Sequence, residues 1–116
     1  MIRVYGIPNC DTVKKARRWL EEQDVAFDFV DFKKQAPDAE LLNEWLTQIP
    51  LETLLNKRGT TWRKLDEATQ ALAQTRAGAV QLMVANPSMI KRPVLAKDGR
   101  FYAGFAADVY QDIFAK

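Results

Sequence analysis

The 116-residue sequence predicts an α/β fold in which one mixed, four-stranded sheet is covered by helices. Three observations lead there. A strand pattern, an amphipathic helical pattern and a second strand pattern follow one another at the N-terminus, the order of a β-α-β unit. Near the C-terminus two apolar runs flank Lys97-Asp98-Gly99-Arg100, and Asp-Gly between such runs signals an antiparallel hairpin. About 50 residues of helical composition separate the two units. A parallel start joined to an antiparallel end disfavours a purely parallel nucleotide-binding sheet.

Each element has its own signal. Residues 2–5 form a short apolar strand, stopped by Gly6-Ile7-Pro8-Asn9. From Asp11 to about Asp24, Val13, Ala16, Trp19 and Leu20 recur at helical spacing. Residues 26–32 read as the second strand. After a polar break at residues 33–37, Asp38 is placed as an N-cap, and Leu41, Leu42, Trp45, Leu46 and Ile49 make a helical stripe that ends at Pro50. Residues 51–85 are less periodic but rich in Ala, Leu, Gln and Glu. Taking Gly59 and Gly78 as breaks, they divide into two or three short helices. Asn86-Pro87-Ser88 is a turn, residues 93–96 and 101–105 are the hairpin strands, and a last helix carries Val109, Tyr110, Ile113 and Phe114. A single domain results, with the sheet built from about residues 1–36 and 87–116 and the helical block inserted at about 37–86.

Composition narrows the chemistry. Hydrophobic residues make up 47% and charged residues 28%, the balance of a soluble globular chain. The net charge of +2 is too weak to argue for nucleic acid or an anionic membrane as partner. With no histidine, no Cys-His pair or histidine base exists, and no metal site is expected. With one cysteine, no internal disulfide forms. A lone cysteine and an N-terminus without signal-peptide character lead to the expectation of a cytoplasmic protein.

That cysteine, Cys10, falls between the first strand and the first helix, where free N–H groups and the positive end of the helix dipole favour a thiolate. A lone cysteine is more often buried and inert, but the polar context Pro8-Asn9-Cys10-Asp11-Thr12 is a poor place to hide one. Asn9, Asp11 and Thr12 are its supporting loop. Lys14 adds a positive charge one turn on, and Asp11 opposes it. Lys14, Lys15, Arg17 and Arg18 fill the N-terminal half of this helix while Glu21, Glu22 and Asp24 end it, an arrangement against the macrodipole costing about 0.3–1 kcal/mol per charge. Two readings stand: a positive field kept around Cys10, or i,i+4 pairing of Arg17 and Arg18 with Glu21 and Glu22. Two further basic stretches stand out. Lys91-Arg92-Pro93 precedes the third strand. Residues 56–64 carry four positive charges and no negative one, which suits either a solvated face or an anion site.

Taken together, the stretch from Tyr5 to Ala16, the helical block and Lys91-Arg92-Pro93 resemble the ArsC/Spx family of thioredoxin-like proteins, within it the YffB branch. The resemblance implies a thioredoxin-like sheet and a cis peptide bond between Arg92 and Pro93 facing the cysteine. Spx-like regulators carry Cys-x-x-Cys as a switch and contact RNA polymerase; here the fourth position is Val13. Arsenate reductases of the family use one cysteine, glutathione and glutaredoxin, and three arginines. Cys10 and Arg92 match. The second arginine falls near Asn56 and Arg58, and the third falls where Arg100 is the nearest arginine. The resemblance therefore implies a glutathione-dependent thiol (disulfide) reductase with Cys10 as nucleophile. Lys14, Arg58, Lys91, Arg92 and Pro93 would bind glutathione, with the backbone of Arg92 meeting its peptide. Arsenate reduction, or a non-enzymatic Spx-like interaction role, are the alternatives. Glutathione is the expected co-substrate with no tightly bound cofactor, glutaredoxin or a protein disulfide the expected partner, and a monomer the expected state.

Overall fold

A computed structural model describes residues 1–115. The sheet has strands β1 (Ile2–Gly6), β2 (Asp28–Asp31), β3 (Val94–Lys97) and β4 (Arg100–Ala103) in the order β2-β1-β3-β4. β1 runs parallel to β2 and antiparallel to β3, and β4 is antiparallel to β3, so the sheet is mixed as expected. β2 is shorter than its apolar run because its ladder with five-residue β1 begins at the pair Arg3–Asp28. β3 starts one residue after Pro93, which has no N–H to give to a ladder. The hairpin turn holds Asp98 at φ 52° and Gly99 at φ 83°, both left-handed as a two-residue primed turn demands.

The chain divides into two compact units, one of residues 35–91 and one of the described residues on either side of it. In the sheet-bearing unit, Val4, Leu95, Ala16, Leu20 and Tyr110 form the buried core. Helix α1 (Asp11–Glu22) contributes Ala16 and Leu20, as its stripe predicts. Trp19 meets the Tyr110 ring edge-on at 5.6 Å between centroids. The C-terminal helix, which is α7 (Ala107–Phe114), buries Tyr110, but Val109 is exposed: the inward stripe is Tyr110, Ile113 and Phe114.

The helical unit is more divided than its sequence suggests. It holds α2 (Ala39–Leu46), α3 (Leu51–Leu54), α4 (Thr60–Arg63), α5 (Glu67–Ala71) and α6 (Arg76–Ala85), with 3-10 turns at Leu72–Gln74 and Pro87–Met89. Side chains restart the helix repeatedly. Asp38 accepts from the Leu41 N–H at 2.8 Å, the cap expected of it, and Asp66 and Thr75 cap α5 and α6 in the same way. Helices of four or five residues are too short to show a period, which is why the pattern blurs there.

Gly78 is no break. It lies in the first turn of α6, where a Cβ would collide with the backbone carbonyl of Leu72. Glycine is there for a close approach of two backbones. Gly78→Ala is expected to destabilise the protein by about 1–3 kcal/mol, the usual cost of overpacking, because backbone cannot rotate aside as a side chain can. Urea denaturation measures it, and an unchanged midpoint would refute the collision.

Candidate functional site

Cys10 is positioned by the end of β1 and the start of α1. Its N–H donates to the carbonyl of Ile7 at 3.1 Å, closing a tight turn, and its own carbonyl accepts the first helical hydrogen bond from Lys14 at 2.9 Å. Its backbone is extended at φ −84°, ψ 128°, so Cys10 is the N-cap residue of α1. Gly6 makes the approach possible: a Cβ there would lie 2.8 Å from Cγ2 of Val13. The thiol makes no capping hydrogen bond. The N–H groups of the first turn are therefore left to act on the sulfur once it ionises.

Partial burial pushes the Cys10 thiol up. Against that stand the N–H of Val13, a hydrogen bond from the Arg92 side chain, the N–H of Thr12 and the charge of Arg92, and together they hold the thiol below its ordinary value. Arg92 reaches the cysteine through the sheet. It lies two residues before Val94, which pairs with Tyr5 on β1, so the approach to β3 and the exit from β1 share one end of the sheet. The Arg92–Pro93 peptide bond is cis. Pro93 is buried, and its carbonyl accepts from Gly104 at 2.8 Å, closing the end of β4 against it.

Among the loop residues expected to support Cys10, Thr12 contributes through its N–H, while Asn9 and Asp11 are exposed. Val13 acts through its N–H as well, a role that its apolar side chain does not signal in the sequence. The third helical position, whose N–H a cap residue receives, is the clue that points to it. Lys14 lies with Arg17, Arg18 and Glu21 along a shallow groove on α1. Arg17 does not settle on the i,i+4 pairing that one reading allows: its guanidinium stacks 4.1 Å from the centroid of the Phe29 ring.

Arg58 and Lys91 meet in the helical unit. The bridge between Leu55 and Ile90 aligns two segments, with Asn56 N–H donating to Met89 at 2.7 Å and Lys91 N–H to Leu54 at 2.8 Å. The result is a pocket of about 320 Å³ bordered by Asn56, Lys57, Arg58 and Lys91, with Glu52 the carboxylate on its wall. Arg100 is the nearest candidate for a third arginine. It pairs with Lys97 at the turn of the hairpin, whereas Ala103 pairs with Val94 at the end where Arg92 enters. Three residues of strand, roughly 10 Å, separate the two ends.

Comparison with known proteins identifies the family and the fold. The ArsC family model matches residues 5–113. The chain belongs to the ArsC family. Among solved members, the chain is 50% identical to a YffB protein, with a TM-score of 0.94 over 99% of this chain and 100% of that one. An arsenate reductase (ArsC) related protein from Brucella melitensis is 47% identical, with a TM-score of 0.76 over 99% and 95% of the two chains. The global transcriptional regulator Spx of Listeria innocua is 26% identical over 110 residues, 93% of this chain and 82% of the regulator. The ArsC fold is thus the thioredoxin-like mixed sheet described above. Among the described residues of this ArsC chain, no helix is long and apolar enough to cross a membrane.

Removing Arg92 leaves the N–H groups to stabilise the thiolate alone. Arg92→Ala is expected to raise the midpoint of Cys10 alkylation against pH. Rates with an anionic disulfide should fall about three- to thirtyfold, corresponding to roughly 0.6–2 kcal/mol for a partly exposed charged hydrogen bond. A wild-type midpoint at or above that of free cysteine would refute the activation itself.

Proposed function

We propose that this ArsC-family protein is a glutathione-dependent thiol–disulfide reductase with Cys10 as its nucleophile. The observation that carries the reading is a thiolate-favouring cysteine at the N-cap of α1, beside Arg92, in a chain with no second cysteine. Cys10 thiolate attacks one sulfur of a disulfide; that S–S bond breaks, a mixed disulfide forms, and the other sulfur leaves as a thiolate. With no resolving cysteine in the chain, an outside thiol must finish the cycle. One glutathione thiolate releases the remaining substrate thiol and leaves Cys10 joined to glutathione. A second glutathione frees the Cys10 thiolate as glutathione disulfide departs, so two glutathione molecules reduce one disulfide.

Glutathione is anionic, and Arg92 supplies counter-charge at the sulfur. Lys14, Arg58 and Lys91 are the further cations that the reading assigns to its carboxylates, and Pro93 shapes the approach. The protein would act as a monomer on a protein disulfide or with glutaredoxin, in the reducing cytoplasm where glutathione is abundant, with no metal or tightly bound cofactor.

Arsenate reductase-like relatives make arsenate the competing substrate. Gripping an oxyanion takes several forked donors aimed at one point. Arg100 stands at the far end of the hairpin, and loss of one positioned donor from such a cluster costs about 10²–10³ in rate. Incubation with oxidised glutathione is expected to add one glutathione to the intact mass, and arsenate is expected to drive little or no glutathione oxidation. Robust arsenate turnover would reverse the ranking. A Cys10 that refuses glutathione would favour the non-enzymatic, Spx-like role.

A further inference from the structure

The face of α1 that begins one turn beyond Cys10 carries more positive charge than the fold uses. Lys14, Arg17 and Arg18, at spacings of three and four that put them on one side of the helix, line a groove of about 200 Å³ that Glu21 borders at its far end. The ion pairs found among the described residues lie away from it, where Asp98 meets the N-terminal ammonium and Lys97. Lys14 and Arg18 extend into solvent. Arg17 is held in place: Phe29 covers one face of its guanidinium, and its Nε is buried without a hydrogen-bond acceptor. A guanidinium carries its five N–H donors in one planar fork, the shape that pairs with a carboxylate. Arg17 as a whole stays partly exposed, so its charge is open to an incoming carboxylate.

The spacing describes the partner. At 1.5 Å per residue, Lys14 lies about 6 Å and Arg18 about 12 Å along the helix from Cys10. An extended polypeptide spans that interval in two to four residues. A regular polyanion suits the groove less well, because Glu21 is followed by Glu22 and Asp24 and the positive track ends within two turns.

We infer that this groove docks an acidic polypeptide, seating Asp or Glu side chains two to four residues from the cysteine whose disulfide Cys10 attacks. The docking stands on the groove; only its link to a disulfide rests on the thiol-exchange reading.

Binding can be measured without the thiol. In the full-length Cys10→Ser protein, fluorescence anisotropy would compare a labelled decapeptide carrying four Asp and Glu residues, a neutral decapeptide of the same length, and a single-stranded DNA dodecamer. The acidic peptide is expected to bind at least tenfold more tightly than the neutral one, less so at 0.5 M salt. Arg18→Glu is expected to abolish that preference, Arg18→Lys to retain most of it, and Arg63→Glu, an equal charge change on α4, to leave it intact. Equal affinity for the two peptides, tighter binding of DNA, or equal losses from Arg18→Glu and Arg63→Glu would overturn the docking surface. A parallel reaction of the Cys10 protein with neutral 2-hydroxyethyl disulfide keeps the two claims apart. Inertness there, with acidic-peptide binding intact, removes the exchange chemistry and leaves the docking surface standing.

Discussion

Cys10→Ser is expected to abolish the glutathione adduct entirely. A serine oxygen cannot form a disulfide, and the chain has no other thiol that could replace it. The substitution should also expose what the site does to stability. Because Arg92 and the N–H groups of Val13 and Thr12 hold the folded thiol below its unfolded value, the thiolate contributes stability at pH values above the unfolded thiol. That contribution is lost as pH falls through the folded value. Under reducing conditions, the stability gap between the wild type and Cys10→Ser should therefore be wider at pH 9 than at pH 6. Serial urea titrations would measure it. A gap that narrows with rising pH would mean that the site stabilises the thiol rather than the thiolate. A persistent glutathione adduct on the serine protein would show that the mass shift never reported on Cys10.

Trp45→Ala should produce the largest loss of stability. Trp45 lies on α2 with no exposed surface, and α2 packs against α6, whose Ala79, Val80, Leu82 and Met83 are buried. Removing an indole from such a position costs about 3–5 kcal/mol, lost burial plus the cavity left behind. For a protein whose total stability is of order 5–15 kcal/mol, that is a large share, and the melting temperature should fall by about 10 °C or more. Two tryptophans remain as reporters: Trp62 in the helical unit and Trp19 against the Tyr110 ring in the sheet-bearing unit. Loss of the Trp62 signal at lower urea than in the wild type is the expected result. A midpoint within the error of the wild type would mean that the α2 site tolerates the cavity, and would contradict its place in the core.

Much of the site is local and could be read directly. A strand stopped by Gly-x-Pro-Asn and followed by an amphipathic stripe puts Cys10 at a helix start, whatever packs around it. Asp98-Gly99 fixes a two-residue hairpin because few other pairs accept two left-handed residues in succession. Asp38 announces α2 by its own side chain. These features depend on neighbours within a few residues, and the chain order supplies those neighbours.

Other features depend on which strands lie side by side, and residue order does not state that. Arg92 carries no local mark beyond the proline after it; family resemblance singles it out, and the pairing of Val94 with Tyr5 brings it to the cysteine. The same register sends Arg100 to the opposite end of the hairpin, although the two arginines are only eight positions apart. Gly78 reads as a break in the sequence and proves to be a point of backbone contact. Arg17 leaves two readings open in the sequence, a positive field around Cys10 or pairing with Glu21, and proves to rest on Phe29, because β2 pairs beside β1 and sets that ring beneath it. Sequence pattern specifies which face of an element is apolar and where the element stops. Strand order and register decide which distant residues meet, because that choice is made by the summed packing of the whole core and not by any one segment.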